Sequence, residues 1–201
     1  MLVELPKPTQ TSLVFVDTSV LVDYLVGGLQ VPGFAGLLQK NMWELVNTFK
    51  SRNIKLRITS TIKWQLKGVE AGIRRRAIVD LPPYLYSILE AKVKKRYYEL
   101  EQRLVEEPLD RGRLPEIHAF YKKHKDKGDF VTCRGSKPNP SPLPEDSDMQ
   151  ILAEIINRPL SYFLSADCDF HSLDEEIASE FKVFVISQEN MNRVMQRWGW
   201  L

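Results

Sequence analysis

Short apolar runs alternate with longer amphipathic segments along most of the chain. The first run, 13–16, is β-branched and ends at Asp17, and similar runs stand at 162–165 and 183–186. Runs of this kind are typical of strands that are buried on both faces, as in parallel sheets. Apolar and basic residues alternate over 54–58, which predicts a further strand.

Amphipathic segments between these runs predict helices, and glycine or proline marks several of their ends. We expect helices from Thr18 to the glycines at 27 and 28, over 34–51, from about 61, over 83–107, after Pro115, from 146 or 147 to Pro159, and over 189–198. Strands that alternate with helices favour a mainly parallel sheet covered by helices on both faces. The sequence therefore predicts an α/β fold.

The middle of the chain has a different character. Pro82 and Pro83 open a long charged helix, and 63–137 carries 18 Lys and Arg against 11 Asp and Glu. Four of the twelve prolines then fall within 138–144, which predicts a stiff, extended segment. We interpret 1–201 as a single domain, with 81–137 as a basic helical insertion and 138–144 as a Pro-rich linker.

The composition is that of a globular protein, with 43% hydrophobic and 27% charged residues. Asp17 and Asp23 interrupt the apolar start of the chain, so we expect neither a signal peptide nor a membrane span. Cys133 and Cys168 show no zinc-binding spacing and no framework of bridges. We therefore expect a cytoplasmic protein whose thiols are reduced.

Carboxylates follow two of the predicted strands. Asp17 ends the first strand and Asp167 follows 162–165, and ligands of open parallel sheets bind at such strand ends. Asp169 comes two residues later, and Asp148 lies in the first turn of a helix that the linker could bring to the same edge. Each acid alone could be a helix cap. Together they would repel one another unless hard cations neutralised them, which predicts a site for Mg²⁺ or Mn²⁺.

Three strings of residues carry a resemblance to a known family. VDTSVLVDYL, EDSDMQILAEI and FLSADCDF, in this order, resemble the signatures of PIN-domain nucleases, which include VapC-type toxins and archaeal and ribosome-processing proteins. The resemblance covers about 12–70 and 143–198. It implies a three-layer α/β/α fold with a five-stranded sheet, and metal-dependent cleavage of RNA that leaves 5′-phosphate and 3′-hydroxyl ends.

The resemblance also implies roles for individual residues. The metal ligands of the catalytic site would be Asp17, Asp148, Asp167 and Asp169, and the hydroxyls that orient them would be those of Ser19 and Ser165. Asp146 would be a supporting acid or simply a helix cap. One position departs from the family pattern, because Gln65 stands where a glutamate is usual and offers only a neutral carbonyl oxygen.

Basic residues next to aromatic ones predict contacts with an RNA backbone and with unpaired bases. The candidates form two clusters: Arg74, Arg75, Arg76, and Lys94, Lys95, Arg96. A solvated helix face is the alternative interpretation of such a run. RNA is the expected partner, and we expect no binding to a membrane. If the protein is a toxin, it would also bind an antitoxin; if it is a processing nuclease, it would bind a ribonucleoprotein. Trp198 and Trp200 could dock on the domain or form a homodimer contact.

Two hypotheses about function remain open. The first is a metal-dependent endoribonuclease acting on single-stranded or structured RNA. The second is a catalytically weak or inactive RNA-binding or scaffold protein of the same fold, for which Gln65 is the main argument. A phosphatase of another doubly wound family is disfavoured, because Asp17 is followed by Thr-Ser and not by the second acid of an Asp-x-Asp motif.

Overall fold

The computed structural model describes residues 5–26, 40–68, 71, 83–108, 112–137, 140–158 and 160–201. The described residues form one five-stranded sheet, in which every pair of neighbouring strands is parallel, in the order β3-β2-β1-β4-β5. The strands are β1 (Val14–Val16), β2 (Leu56–Ile58), β3 (Val105–Glu106), β4 (Ser161–Leu164) and β5 (Val183–Ile186). The predicted α/β class and parallel sheet are confirmed.

Helices connect and cover the strands. They are α1 (Thr18–Val26), α2 (Lys40–Ser51), α3 (60–68), α4 (Pro83–Glu101), α5 (Leu114–His124), α6 (Gly128–Gly135), α7 (Asp146–Ile155), α8 (Cys168–His171), α9 (Asp174–Phe181) and α10 (Gln188–Trp198). The predicted start of α2 near 34, the glycines after α1 and the proline at 159 lie outside the described residues. Over the part of the chain that is described, no helix combines the length and the apolar character needed to cross a bilayer.

The core lies around the central strands, which are buried on both faces. Phe15 of β1 and Phe163 of β4 are fully buried. Helix α1 packs against α2 and α4, α5 packs against α7, and α9 and α10 pack against β5. These contacts are compatible with a three-layer α/β/α arrangement.

The centre of the sheet is its topological switch point. Strand β1 pairs with β2 on one side and with β4 on the other, and Val16 lies opposite Leu164. The backbone N–H of Asp17 donates to the carbonyl of Leu164 at 2.8 Å, so the pairing continues to the ends of both strands. The residues that follow β1 and β4 therefore emerge side by side, where parallel sheets bind ligands.

The segment 81–137 contains a short strand as well as helices, so the helix predicted to run to about 107 is too long. Its long helix ends at Glu101, and Val105–Glu106 forms the edge strand β3, where Arg57 of β2 lies opposite Val105. An ion pair between Arg57 and Glu107 also joins β2 to this edge. Only two residues pair, one of them half-buried and the other exposed, so no long apolar run marks the strand in the sequence.

The expectation of reduced thiols is also wrong for this structure, which joins Cys133 of α6 to Cys168 of α8 by a disulfide bond. The two cysteines are 35 residues apart in sequence, and packing of α6 against α8 brings them together. Spacing along the chain gave no sign of the bond, because the fold creates the proximity.

The C-terminal tryptophans dock on the domain. Trp198 is buried against Phe49 and Tyr162, and the guanidinium of Arg52 lies 4.6 Å from the ring centre of Trp200. Of the two roles considered for these residues, docking is confirmed. A homodimer stays a prediction.

Candidate metal centre

An open cleft of about 760 Å³ lies where β1 and β4 end. Three of the predicted aspartates line it, and each comes from a different element: Asp17 follows β1, Asp148 lies in the first turn of α7, and Asp167 precedes α8. Ser19 and Gln65 line it as well. The fold therefore brings residues that are up to 150 positions apart to one edge of the sheet.

Asp17 is held by neutral hydrogen-bond donors. Its Oδ2 accepts from the hydroxyls of Ser19 (2.6 Å) and Ser165 (2.8 Å), and its Oδ1 accepts from the backbone N–H of Thr18 (2.7 Å). Both hydroxyls thus contact one of the acids that the resemblance expects them to orient. Burial raises the pKa of Asp17, and these hydrogen bonds oppose the rise.

Ser165 also links the two strand ends. While its hydroxyl donates to Asp17, it accepts from the backbone N–H of Asp167 at 3.0 Å. Asp167 in turn caps α8, because its Oδ1 accepts from the backbone N–H of Asp169 at 2.9 Å. The backbone therefore fixes the position of Asp167 and leaves its carboxylate facing the cleft.

Asp148 is an acid that binds its proton far more tightly than a carboxyl in water. Burial first, and then the charges of Asp167, Asp17 and Asp169, raise its pKa to about 7. A carboxyl in this state holds a proton for part of the time at neutral pH. A cation in the cleft would displace that proton.

Asp169 differs from the other three because it lies behind the cleft, fully buried. Its Oδ2 accepts from Arg134 Nη1 at 2.5 Å and from Lys137 Nζ at 2.6 Å. Its Oδ1 is buried with no hydrogen-bond partner among the described residues. Lys137 Nζ also lies 3.5 Å from Asp167 Oδ1, so it bridges the two acids.

Arg134 and Lys137 are functional candidates that sequence reasoning missed. The guanidinium of Arg134 is buried, and besides Asp169 it donates to the carbonyls of Ser141 (3.1 Å) and Leu143 (2.6 Å) in the proline-rich linker. It therefore ties α6, the linker before α7 and the acid cluster together. Both residues belong to a segment rich in basic residues, and nothing in their spacing distinguishes them from their neighbours.

Gln65 lies in the cleft, but its amide oxygen has a partner. Thr18 Oγ1 donates to Gln65 Oε1 at 2.6 Å, which joins α1 to α3. The position at which the resemblance expects a glutamate is thus used for a hydrogen bond between helices. Asp146 is exposed at the start of α7 and lines a neighbouring cavity instead of this cleft.

The predicted RNA-binding residues are only partly within the described structure. Arg74, Arg75 and Arg76 lie outside it. On α4, Lys94 pairs with Glu90 at 3.2 Å, Arg96 donates to the carbonyl of Leu25 at 3.2 Å, and Lys95 is exposed. Among the described residues, α4 contributes none to the lining of the cleft, and RNA binding by this helix stays a prediction.

The residues present fit a divalent cation. Oxygen atoms of Asp148, Asp167 and Asp169 lie within 4.8 Å of one another, and carboxylate oxygens are the ligands that Mg²⁺ and Mn²⁺ prefer. Four carboxylates carry four negative charges, and Arg134 and Lys137 supply two positive ones beside Asp169. The remaining charge matches one divalent ion. Asp148 and Asp167 belong to this group and line the cleft together with Asp17, so these three would hold the ion from the cleft side.

Comparisons with models of protein families and with curated proteins found no match to this chain. The resemblance to PIN-domain nucleases therefore rests on the three short strings, their order in the sequence and their placement at strand ends.

Proposed function

We propose that this protein is a metal-dependent endoribonuclease of the PIN type, which hydrolyses phosphodiester bonds in single-stranded or structured RNA. The observation that carries the proposal is the meeting of three carboxylates in one open cleft at the switch point of a parallel sheet. A closed acidic cluster could serve structure alone, whereas this cleft admits a ligand. Acids in this arrangement are suited to hold a cation against a phosphate.

In this proposal Asp17, Asp148 and Asp167 hold Mg²⁺ or Mn²⁺. When bound, the ion would polarise the phosphodiester, lower the pKa of a water molecule and neutralise the departing oxygen. Ser19 and Ser165 keep Asp17 in its binding orientation. Arg134 and Lys137 neutralise Asp169 and so limit the repulsion that a bound phosphate would meet. Asp148 would release its proton when the ion is bound.

The test incubates the full-length protein with RNAs of several sequences in Mg²⁺, in Mn²⁺ and in chelator. We expect cleavage that requires metal, leaves 5′-phosphate ends and disappears in Asp17→Asn. Ser12→Ala, which alters a hydroxyl outside the cleft, is the matched control and should cleave like the parent. Absence of cleavage in both metals on all RNAs would contradict the proposal.

A specific observation favours the second candidate, an inactive RNA-binding or scaffold protein. Gln65 Oε1 accepts a hydrogen bond from Thr18. Asp169 Oδ2 accepts from the side chains of Arg134 and Lys137, so two positions expected to bind metal already have protein partners. Binding of RNA without cleavage, together with no measurable binding of Mn²⁺, would support this candidate. An antitoxin or ribonucleoprotein partner and a cytoplasmic location stay predictions.

A further inference from the structure

Helix α3 presents an exposed tryptophan at the rim of the cleft. Trp64 is 73% exposed, although burial of an indole ring away from water is energetically favourable. The residue lines the acidic cleft and also a second cavity of about 490 Å³ beside it. The two cavities therefore meet at this side chain.

A basic residue accompanies the ring. Lys67 is exposed, lies three residues after Trp64 on the same helix and lines the acidic cleft. Residues three apart share a helix face. An aromatic surface and a cation on one face, next to a site for a phosphodiester, is the combination that binds a nucleotide in single-stranded nucleic acid.

The second cavity is lined with hydrogen-bonding groups. Glu154 is buried, and it accepts from Thr61 Oγ1 at 2.7 Å and from Gln150 Nε2 at 3.3 Å. These bonds fix Thr61 and Gln150, which line the cavity with Ser147 and His118. Among the described residues, none donates a hydrogen bond to the carbonyl oxygen of Gln150. The volume lies in the range of sites that take small ligands.

From these observations we infer that the second cavity is a subsite for one unpaired base of the RNA, which stacks on Trp64 while the adjoining phosphate lies in the acidic cleft. Ser147 lines both cavities and marks the path between them. Lys67 neutralises a phosphate of the same strand. The inference rests on the proposed function, because it takes single-stranded RNA as the substrate.

The test measures the affinity of a short single-stranded RNA for the full-length Asp17→Asn protein in Mn²⁺, so that binding is read without cleavage. On this background, Trp64→Ala should weaken binding roughly five- to hundredfold, since one stacked base contributes that much to affinity. Trp64→Phe should restore most of the loss. Leu160→Ala, which removes an apolar side chain that is 61% exposed but lines neither cavity, is the control and should leave affinity unchanged.

A scan of abasic nucleotides locates the base. One abasic position should weaken binding to the parent but not to Trp64→Ala, because the stacking partner is already absent. Equal effects of Trp64→Ala and Leu160→Ala, or no effect of either, would overturn the subsite and favour a protein partner for this face. If wild-type protein still cleaves RNA in that case, only the subsite fails; if RNA is neither bound nor cleaved, the proposed function fails with it.

Discussion

The two ends of the acid cluster are held by different kinds of interaction. At the end of β1, neutral donors hold Asp17, and two of them come from the next two residues, Thr18 and Ser19. At the end of β4, the buried Asp169 is held by the charged side chains of Arg134 and Lys137, more than 30 residues away in sequence. The first end is organised by local sequence, and the second depends on tertiary packing.

This difference has an energetic consequence. A hydroxyl that donates to an acid contributes about 1 kcal/mol or somewhat more, since water can replace it near an open cleft. A buried carboxylate that loses the basic side chain paired with it remains desolvated without compensation. Such a loss lowers the free energy of unfolding by about 3 to 5 kcal/mol. The β4 end should therefore be more sensitive to substitution, although Asp169 lies behind the cleft and Asp17 lines it.

The largest expected effect is that of Arg134→Met. This change keeps most of the side-chain volume but leaves Asp169 paired only with Lys137 and releases the two linker carbonyls. We expect the free energy of unfolding to fall by about 3 to 5 kcal/mol. Denaturant unfolding followed by circular dichroism measures it.

Ser19→Ala is the matched change at the β1 end, where Ser19 lines the cleft and a loss of about 1 to 2 kcal/mol is expected. Equal losses in the two variants would contradict the distinction between the charged and the neutral end.

The disulfide belongs to the β4 end, and its removal is the next largest effect. Cys133→Ser should lower the free energy of unfolding by about 3 to 4 kcal/mol, because the bond closes a loop of 35 residues in the unfolded chain. Thermal unfolding with and without a dithiol measures the loss. The dithiol should destabilise the wild type and leave Cys133→Ser unchanged; an identical response in both proteins would show that the bond contributes nothing in solution.

Sequence reasoning identified the acids of the site and missed the basic side chains that hold Asp169, for a physical reason. Asp17 and Asp167 each follow an apolar run, so the rule that ligands bind at the C-terminal ends of parallel strands is enough to place them together. Arg134 acts through a contact with Asp169 across 35 positions, and in sequence it is one of 18 basic residues within 63–137. Pairing of this kind leaves no periodic pattern.

The same contrast explains the strands. Four of them are apolar or alternating runs and are visible in the sequence. Strand β3 contributes only Val105–Glu106 and owes its pairing to the neighbouring β2, so the helix predicted to 107 in fact ends at Glu101. An edge strand this short is defined by its partner more than by its own residues.

The pH dependence of stability probes the cleft between the two ends. Because the pKa of Asp148 is raised from 3.8 to about 7 in the folded protein, the folded state holds a proton that the unfolded state has released over this interval. Stability of the metal-free protein should therefore fall as pH rises from 4 to 7, and this carboxyl contributes no further loss above pH 7.

Asp148→Asn should flatten this fall and make the metal-free protein more stable than wild type at pH 7 to 8. Thermal unfolding in chelator across the pH series measures both changes. Asp146→Asn, which alters an exposed acid at the start of the same helix, is the control and should leave the slope unchanged. A wild-type slope that persists in Asp148→Asn would show that this carboxyl does not carry the proton.

The smallest effect expected is that of Lys137→Met on cation binding. Lys137 Nζ lies 2.6 Å from Asp169 Oδ2 and 3.5 Å from Asp167 Oδ1. Its positive charge therefore neutralises part of the negative charge of the cluster and repels a metal ion bound there. Removing one positive charge at this range should tighten Mn²⁺ binding by roughly tenfold, the effect of about 1.4 kcal/mol in a partly solvated site. Isothermal titration calorimetry measures the affinity and the stoichiometry of Mn²⁺ binding together.

Lys182→Met, on the surface after α9, is the control and should leave both unchanged. Weaker Mn²⁺ binding in Lys137→Met would mean that the lysine positions Asp167 for the metal, and the two ends of the cluster would then differ in stability alone.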